Sequence, residues 1–175
     1  MIQIQKIKEH KKIKNQLLKL IEKSKSENFD RFDKGVWEKI TKTDFNYSQS
    51  PQQYKDLVIS TIVPYTYNKR FCIQNVPDMW YQQYKKNDNH GWHIHSGCHF
   101  SHIYLLELPK KKYLTQFYID KLVEVEAEEG DLISFPAYII HRSPIVKDNT
   151  RKTVIVFNTS FDEPNDKLIN IDKKQ

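Results

Sequence analysis

The chain has 175 residues, of which 38% are hydrophobic and 29% are charged, a composition typical of a globular protein and not of a disordered one. This length is enough for one domain with a sizeable core. No apolar segment approaches the roughly 20 residues that a membrane-spanning helix needs, and lysines interrupt the N-terminal apolar clusters where a signal peptide would lie. The two cysteines have no CxxC spacing, so we expect free thiols and a cytoplasmic protein.

The formal net charge of +6 comes from residues 1–25, which hold eight lysines and two glutamates. Basic and acidic residues are equal in number in the rest of the chain. A lysine-rich helix can bind nucleic acid, but a solvent-exposed helix face is the simpler interpretation of this segment. The neutral remainder of the chain argues against a large phosphate-binding surface, so nucleic acid is only weakly supported as a partner.

The first third of the chain, residues 1–66, is predicted to be a helical region. Apolar residues recur at steps of three and four over residues 3–24, with lysines between them. A second helix is expected to begin at Pro51 and run to about residue 62. The polar stretch between these helices indicates no regular element.

From about residue 70 the pattern changes to short segments rich in Ile, Val, Tyr and Phe that are separated by turn residues. Many short strands after helices predict a mainly β sandwich or jelly roll with helices packed on one face. This core is expected over residues 70–162, with a polar tail over 163–175, in a single domain. The predicted strands are 70–75, 78–85, 92–96, 100–108, 113–119, 122–128, 131–135, 137–143 and 151–161.

Five of the seven histidines fall within residues 90–102. Alternate residues of a strand point to the same face, so His93 and His95 are expected to direct both imidazoles to one side. A third ligand must come from elsewhere, and His141 follows a separate apolar run. Imidazole is the commonest transition-metal ligand in proteins. The sequence therefore predicts a metal site of His93, His95 and His141.

Arg151 lies ten residues after His141 and begins a strongly apolar segment, in which it shares a strand face with Thr153. A guanidinium can bind a carboxylate through two parallel hydrogen bonds, and a nearby hydroxyl can add a third. The combination of a histidine metal site with a downstream arginine predicts an anionic co-substrate.

These residues carry a family resemblance. The chain resembles the 2-oxoglutarate and Fe(II)-dependent oxygenases, over about residues 70–162. The resemblance implies a double-stranded β-helix (a cupin-like jelly roll), bound Fe(II), and hydroxylation of a substrate coupled to decarboxylation of 2-oxoglutarate to succinate. The matching positions are His93-Ile-His95-Ser-Gly97-Cys98, Gly130-Asp131, Phe135-Pro136, His141 and Arg151-Lys-Thr153.

The resemblance also implies individual roles. His93 and His141 would be iron ligands, and Arg151 would bind the distal carboxylate of 2-oxoglutarate with help from Thr153. Three further residues on strands near the mouth of the barrel would contact the co-substrate: Tyr84, Tyr104 and Gln116.

One position departs from the family. The commonest metal motif there is HxD or HxE, whereas this chain has His95 in the second place. Either the site has three histidines, or His95 lies behind the metal and a carboxylate, Asp88 or Glu107, completes the ligand set. Two other functions stay open: a cupin-type dioxygenase or isomerase without 2-oxoglutarate, and a metal-stabilised jelly roll that only binds a partner. The sequence indicates neither the substrate nor the oligomeric state.

Overall fold

The structure, a computed structural model, describes residues 1–33, 35–66 and 72–164. This part of the chain contains two α-helices and twelve strands. In chain order they are β1 (Gln3–Lys6), α1 (His10–Lys23), β2 (Glu27–Asp33), β3 (Val36–Thr43), α2 (Gln53–Thr61), β4 (Cys72–Asn75), β5 (Met79–Tyr84), β6 (His90–His93), β7 (Phe100–Glu107), β8 (Gln116–Ile119), β9 (Lys121–Val123), β10 (Asp131–Pro136), β11 (Ile140–Ser143) and β12 (Lys152–Pro164).

The strands form two antiparallel sheets. The major sheet has the order β1-β10-β7-β12-β5-β3-β2, and β4 also pairs with β12. The minor sheet has the order β6-β11-β8-β9. Apart from the hairpins β2–β3 and β8–β9, neighbouring strands in both sheets are not consecutive in sequence, which is the connectivity of a jelly roll. The predicted fold class, a mainly β jelly roll with N-terminal helices, is confirmed.

Both faces of the central strands of the major sheet are buried. One face meets the minor sheet across a core that includes Leu105, Phe135 and Val154 from the major sheet and Phe117 from the minor sheet. The opposite face is covered by the two helices in a second core cluster. The space between the two sheets therefore lies on the face of the major sheet that the helices do not cover.

Helix α1 forms because Ile13, Leu17 and Ile21 recur every fourth residue, and all three are buried against the major sheet. The prediction of a helix from residue 3 is wrong at its start, since residues 3–6 are a strand. There the backbone of β1 pairs with the edge of β10 and satisfies hydrogen-bonding groups that would otherwise be unpaired. Helix α2 agrees with the prediction.

The hairpin of β2 and β3 lies in the stretch for which no element was predicted. Its strands carry charged residues, such as the ion pair between Arg31 and the buried Glu38, so the alternation of apolar and polar residues is weak. The region before residue 66 therefore adds three strands to the major sheet, in addition to its helices. None of the helices in the described part of the chain is both long and apolar enough to span a membrane.

Most strands predicted after residue 70 are present. The main difference concerns β6, which ends at His93, so that residues 94–96 lie beyond it. Residues 165–175, most of the predicted tail, lie outside the described residues.

Candidate metal centre

The three predicted histidine ligands come together between the sheets. His93 on β6 and His141 on β11 are direct partners in the antiparallel register. His95 follows β6, where its backbone N–H donates to the Ala137 carbonyl at 2.9 Å. One ring nitrogen from each histidine can be chosen so that all three lie within 4.8 Å of one another. The three imidazoles can therefore hold a metal ion.

Hydrogen bonds fix the ring orientation of two of these histidines. The Nδ1–H of His93 donates to the Gly91 carbonyl at 2.7 Å, and the Nδ1–H of His141 donates to the Ile139 carbonyl at 2.9 Å. A backbone carbonyl can only accept, so Nδ1 carries the proton in both rings. The Nε2 lone pair of each ring is left for a metal, as is usual for histidine ligands.

His95 is held differently. Its Nδ1 lies 2.8 Å from the Asn158 Oδ1 and 2.9 Å from the Ser101 Oγ. Asn158 and Ser101 are both buried, on β12 and β7 respectively. These contacts occupy Nδ1 and leave the Nε2 of His95 for the metal.

Burial keeps the histidines in the form that binds metal. Desolvation lowers the pKa of His93 to about 4 and is the largest cause of the lowered pKa of His95 and of His141. Neutral imidazole is the ligand form, so the site needs no deprotonation near pH 7. A neutral three-nitrogen donor set fits a divalent transition metal.

A fourth histidine lies beside the ligand group. The ring of His90 stacks on that of His93 with 3.9 Å between centroids, and its Nδ1 lies 3.4 Å from the Gln82 Nε2. His90 lines the same cavity but is not one of the three converging ligands.

The cavity beside the histidines contains a buried lysine. The cavity is narrow, with a volume of about 20 Å³, which is enough for one or two water molecules. Lys152 at the start of β12 is fully buried in its wall and donates from Nζ to the Ser143 Oγ at 2.8 Å. Burial lowers the pKa of Lys152 to about 7. Within the described residues no carboxylate pairs with this amine.

Arg151 and Thr153 do not reach this cavity, contrary to expectation. The residues of β12 that line it are Lys152, Val154 and Val156, whereas Arg151 and Thr153 belong to the opposite face. There the Arg151 guanidinium donates two hydrogen bonds of 2.8 Å to the Glu107 carboxylate, and the Thr153 hydroxyl donates to the same carboxylate. Neither side chain is available to a ligand held by the histidines.

Of the three other residues predicted to contact the co-substrate, only Tyr84 lines the cavity. Its ring centroid lies 5.2 Å from the Lys152 Nζ. Tyr104 faces the helices, where its hydroxyl lies 2.6 Å from the His10 Nδ1. Gln116 is outside the cavity, but its Oε1 accepts a hydrogen bond of 2.9 Å from Arg142, which lines it.

Neither candidate carboxylate lies at the histidines. Asp88 is buried elsewhere and accepts hydrogen bonds of 2.9 Å from the backbone N–H groups of Thr41 and Lys85. Glu107 is bound to Arg151 on the other face of the major sheet. The geometry thus brings His95, and neither of these acids, next to His93 and His141.

A groove opens on the outer side of the histidines. It has a volume of about 320 Å³ and is bordered by Phe45, Asp78, Trp80 and Ile94, with His93 and His95 at its base. The Trp80 ring lies 5.5 Å from that of His95 and 5.3 Å from that of Phe45. This groove and the cavity with Lys152 meet the histidines from two sides.

Comparison with solved structures identifies the architecture. An oxidoreductase of the 2OG-Fe(II) oxygenase family from Burkholderia pseudomallei superimposes with a TM-score of 0.64 at 13% identity, covering 86% of this chain and 79% of that one. The chain has the fold of the 2-oxoglutarate and Fe(II)-dependent oxygenases.

Two further solved structures with similar folds were determined as complexes. A prolyl hydroxylase from Trichoplax adhaerens, in complex with a hypoxia inducible factor peptide fragment, matches with a TM-score of 0.63 at 12% identity, over 91% of this chain and 83% of that one. A viral collagen prolyl hydroxylase from Paramecium Bursaria Chlorella virus-1, in complex with 2OG, matches with a TM-score of 0.52 at 14% identity, over 90% and 94%. No protein-family model and no curated protein sequence matches the chain.

Within this oxygenase fold, Lys152 is the residue that the sequence analysis missed. The available signal was a lysine at the start of an otherwise apolar strand, at a position where alternation places it with Val154 and Val156. A charged side chain on the same strand face as valines is either exposed at an edge or buried for a function.

Proposed function

We propose that the protein is an Fe(II)- and 2-oxoglutarate-dependent oxygenase that hydroxylates a substrate held in the groove over His93 and His95. The observation that carries this proposal is the buried, unpaired Lys152 in the same cavity as three converging imidazoles. Burying a cation without a counter-ion is costly. A bound carboxylate would supply that counter-ion, so the charge of this wall favours an anionic co-substrate.

Different residues would bind the metal and the co-substrate. His93, His95 and His141 would hold the iron through Nε2, and three protein ligands leave room for a co-substrate and for oxygen. Lys152 would bind the distal carboxylate of 2-oxoglutarate, with the Ser143 hydroxyl beside it. When bound, Fe(II) supplies the oxygen chemistry that couples hydroxylation to decarboxylation of 2-oxoglutarate.

The walls of the cavity would protect that chemistry. The aliphatic side chains of Ile103, Val154 and Val156 face the histidines and exclude water from the space around them. A cupin-type enzyme without 2-oxoglutarate would share the three histidines, but it gives the buried lysine no carboxylate to bind. The same lysine argues against a purely structural metal site.

The proposal is tested with anaerobic protein. Addition of Fe(II) and 2-oxoglutarate is expected to produce a visible metal-to-ligand charge-transfer band, and oxygen is expected to bleach it with release of succinate. Protein given Fe(II) and succinate in place of 2-oxoglutarate is the control and should show no band. If the wild-type protein binds iron stoichiometrically yet shows neither band nor succinate, the oxygenase proposal fails.

The lysine also predicts a pH dependence of co-substrate affinity. Because the pKa of Lys152 is lowered to about 7, most of this amine is neutral above that pH in the free protein and must gain a proton to pair with a carboxylate. The affinity for 2-oxoglutarate should therefore fall as pH rises above 7, by up to about tenfold per unit. The four histidines of the cavity have lowered pKa values and Tyr84 a raised one, so these groups do not titrate in that range.

Calorimetric titration of metal-loaded protein at pH 6.5 and pH 8.5, in two buffers of different ionisation enthalpy, measures both the affinity and the proton uptake. Equal affinity at the two pH values, with no proton uptake, would contradict the assignment of the carboxylate to Lys152.

A further inference from the structure

We propose that Asp78 and Asn158 are positioning residues that set the tautomer of His95, so that its Nε2 is free to bind the metal. This inference rests on the metal-binding part of the proposed function and not on the identity of the co-substrate. It concerns the one ligand position in which the chain departs from the HxD or HxE motif.

The tautomer of His95 is not fixed by its direct partners, because each of them can donate or accept a hydrogen bond. The Nδ1 atoms of His93 and His141 face backbone carbonyls, which can only accept. The Nδ1 of His95 faces the Asn158 side-chain amide and the Ser101 hydroxyl, and each of these can either donate or accept. If the amide presented its NH₂ group, the proton of His95 would move to Nε2 and the metal would lose its lone pair.

Asp78 removes the ambiguity. Its Oδ2 lies 3.5 Å from the Asn158 Nδ2, and its backbone carbonyl accepts the Asn158 N–H at 3.0 Å. A carboxylate can only accept, so the NH₂ group of Asn158 turns to Asp78 and its Oδ1 turns to His95. The Nδ1 of His95 must then carry the proton. The Gln49 Nε2, 3.5 Å from the Asp78 Oδ1, supports the carboxylate from its other side.

The arrangement also places a negative charge close to the third ligand. Asp78 is separated from His95 by one amide, that of Asn158. Hydrogen-bond partners behind a ligating histidine fix its tautomer and the orientation of its ring. Asp78 thus lies behind the third histidine, whereas an HxD motif would place its carboxylate at the ligand position itself.

The test reads the tautomer of the metal-free protein. With ¹⁵N-labelled histidine, NMR chemical shifts of the ring nitrogens should show His95 protonated at Nδ1 in the wild type. In Asp78→Asn the amide of Asn158 loses its fixed acceptor, so we expect His95 to populate the Nε2–H tautomer. Affinity for Co(II), measured by titration, should fall about 10- to 100-fold in this variant.

Three variants make the result specific. Asn158→Asp keeps a group that only accepts next to Nδ1, so we expect it to retain the Nδ1–H tautomer, whereas Asn158→Leu should lose it. Asp120→Asn makes the same chemical change at an exposed site and should alter neither property. Unchanged His93 and His141 signals would show that each variant is folded.

The inference is overturned if wild-type His95 carries its proton on Nε2, or if Asp78→Asn leaves both the tautomer and the Co(II) affinity unchanged. These outcomes can occur in a protein that still forms the charge-transfer band and releases succinate. Conversely, a wild type that binds Co(II) with the expected tautomer but gives no succinate would contradict the oxygenase proposal and leave this inference intact.

Discussion

Replacement of Lys152 by Met is expected to weaken 2-oxoglutarate binding by at least about 30-fold, since truncating one partner of a buried charge pair costs about 2 kcal/mol or more. The methionine fills a similar volume but leaves the incoming carboxylate without a counter-ion. Calorimetric titration of the Co(II)-loaded variant gives the affinity, and Co(II) binding itself should be unchanged because Lys152 is not a metal ligand.

The same substitution should stabilise the protein in the absence of co-substrate. The pKa of Lys152 is lower in the folded chain than in an unfolded one, so the unfolded state binds the proton more tightly over the range from about 7 to the ordinary lysine value of 10.5. Lys152 therefore lowers the free energy of unfolding most fully below pH 7 and least at high pH. Urea titrations should show Lys152→Met to be more stabilising at pH 6 than at pH 9.

Arg151→Met is the matched control, at the residue directly before β12, whose side chain is directed away from the cavity. It removes the pair with Glu107 and should lower stability, but it should leave 2-oxoglutarate affinity within about twofold. If Arg151→Met abolished co-substrate binding and Lys152→Met did not, the original sequence prediction would be right and the assignment to Lys152 wrong.

Replacement of His95 by Ala is expected to abolish stoichiometric metal binding at micromolar concentration. Two imidazoles on a rigid sheet remain, but the third ligand of the set is lost. The measurement is Co(II) titration followed by its absorption spectrum, which reports the number of nitrogen ligands. His95→Asp should retain binding, because a carboxylate at this position restores the commoner ligand set.

His99→Ala serves as the control for this prediction. His99 belongs to the same sequence cluster, but its Nδ1 accepts a hydrogen bond from the Phe161 backbone at 3.2 Å and its ring stacks on Phe161. The variant should bind Co(II) like the wild type. Full metal occupancy in His95→Ala would instead mean that His95 lies behind the metal.

The sequence was sufficient to predict which histidines converge. The i, i+2 spacing of His93 and His95 and the apolar run before His141 are local patterns, and the antiparallel pairing of β6 with β11 brings them together. It was not sufficient to choose between Arg151 and Lys152. Alternation shows that residues 152, 154 and 156 share a face, but not which face is the inner one.

The inner face of β12 could not be identified from the sequence because both faces of this strand are buried. Ile155 and Phe157 pack under the helices, while Val154 and Val156 pack between the sheets, so hydrophobicity is equal on the two sides. The prediction that Tyr104 contacts the co-substrate was wrong for the same reason, because both faces of β7 are buried as well. Only the three-dimensional position of the helices distinguishes the faces, and helix packing leaves no signal in the strand itself.

The N-terminal strands were missed for a different reason. Gln3–Lys6 contains too few residues to separate a period of two from a helical period, and Ile4 fits both. In the β2–β3 hairpin, charged residues interrupt the alternation on both strands. Pairing with an existing sheet, a long-range interaction, decides the conformation of such segments.

The hydrogen-bond partners of His93 and His141 are less sensitive to substitution than those of His95. The acceptors for His93 and His141 are the main-chain oxygens of residues 91 and 139, which every amino acid provides, so no side-chain substitution deletes them. The partners of His95 are side chains and can change one at a time. In the proposed metal site, single substitutions that alter metal preference are therefore expected around position 95 before positions 93 and 141.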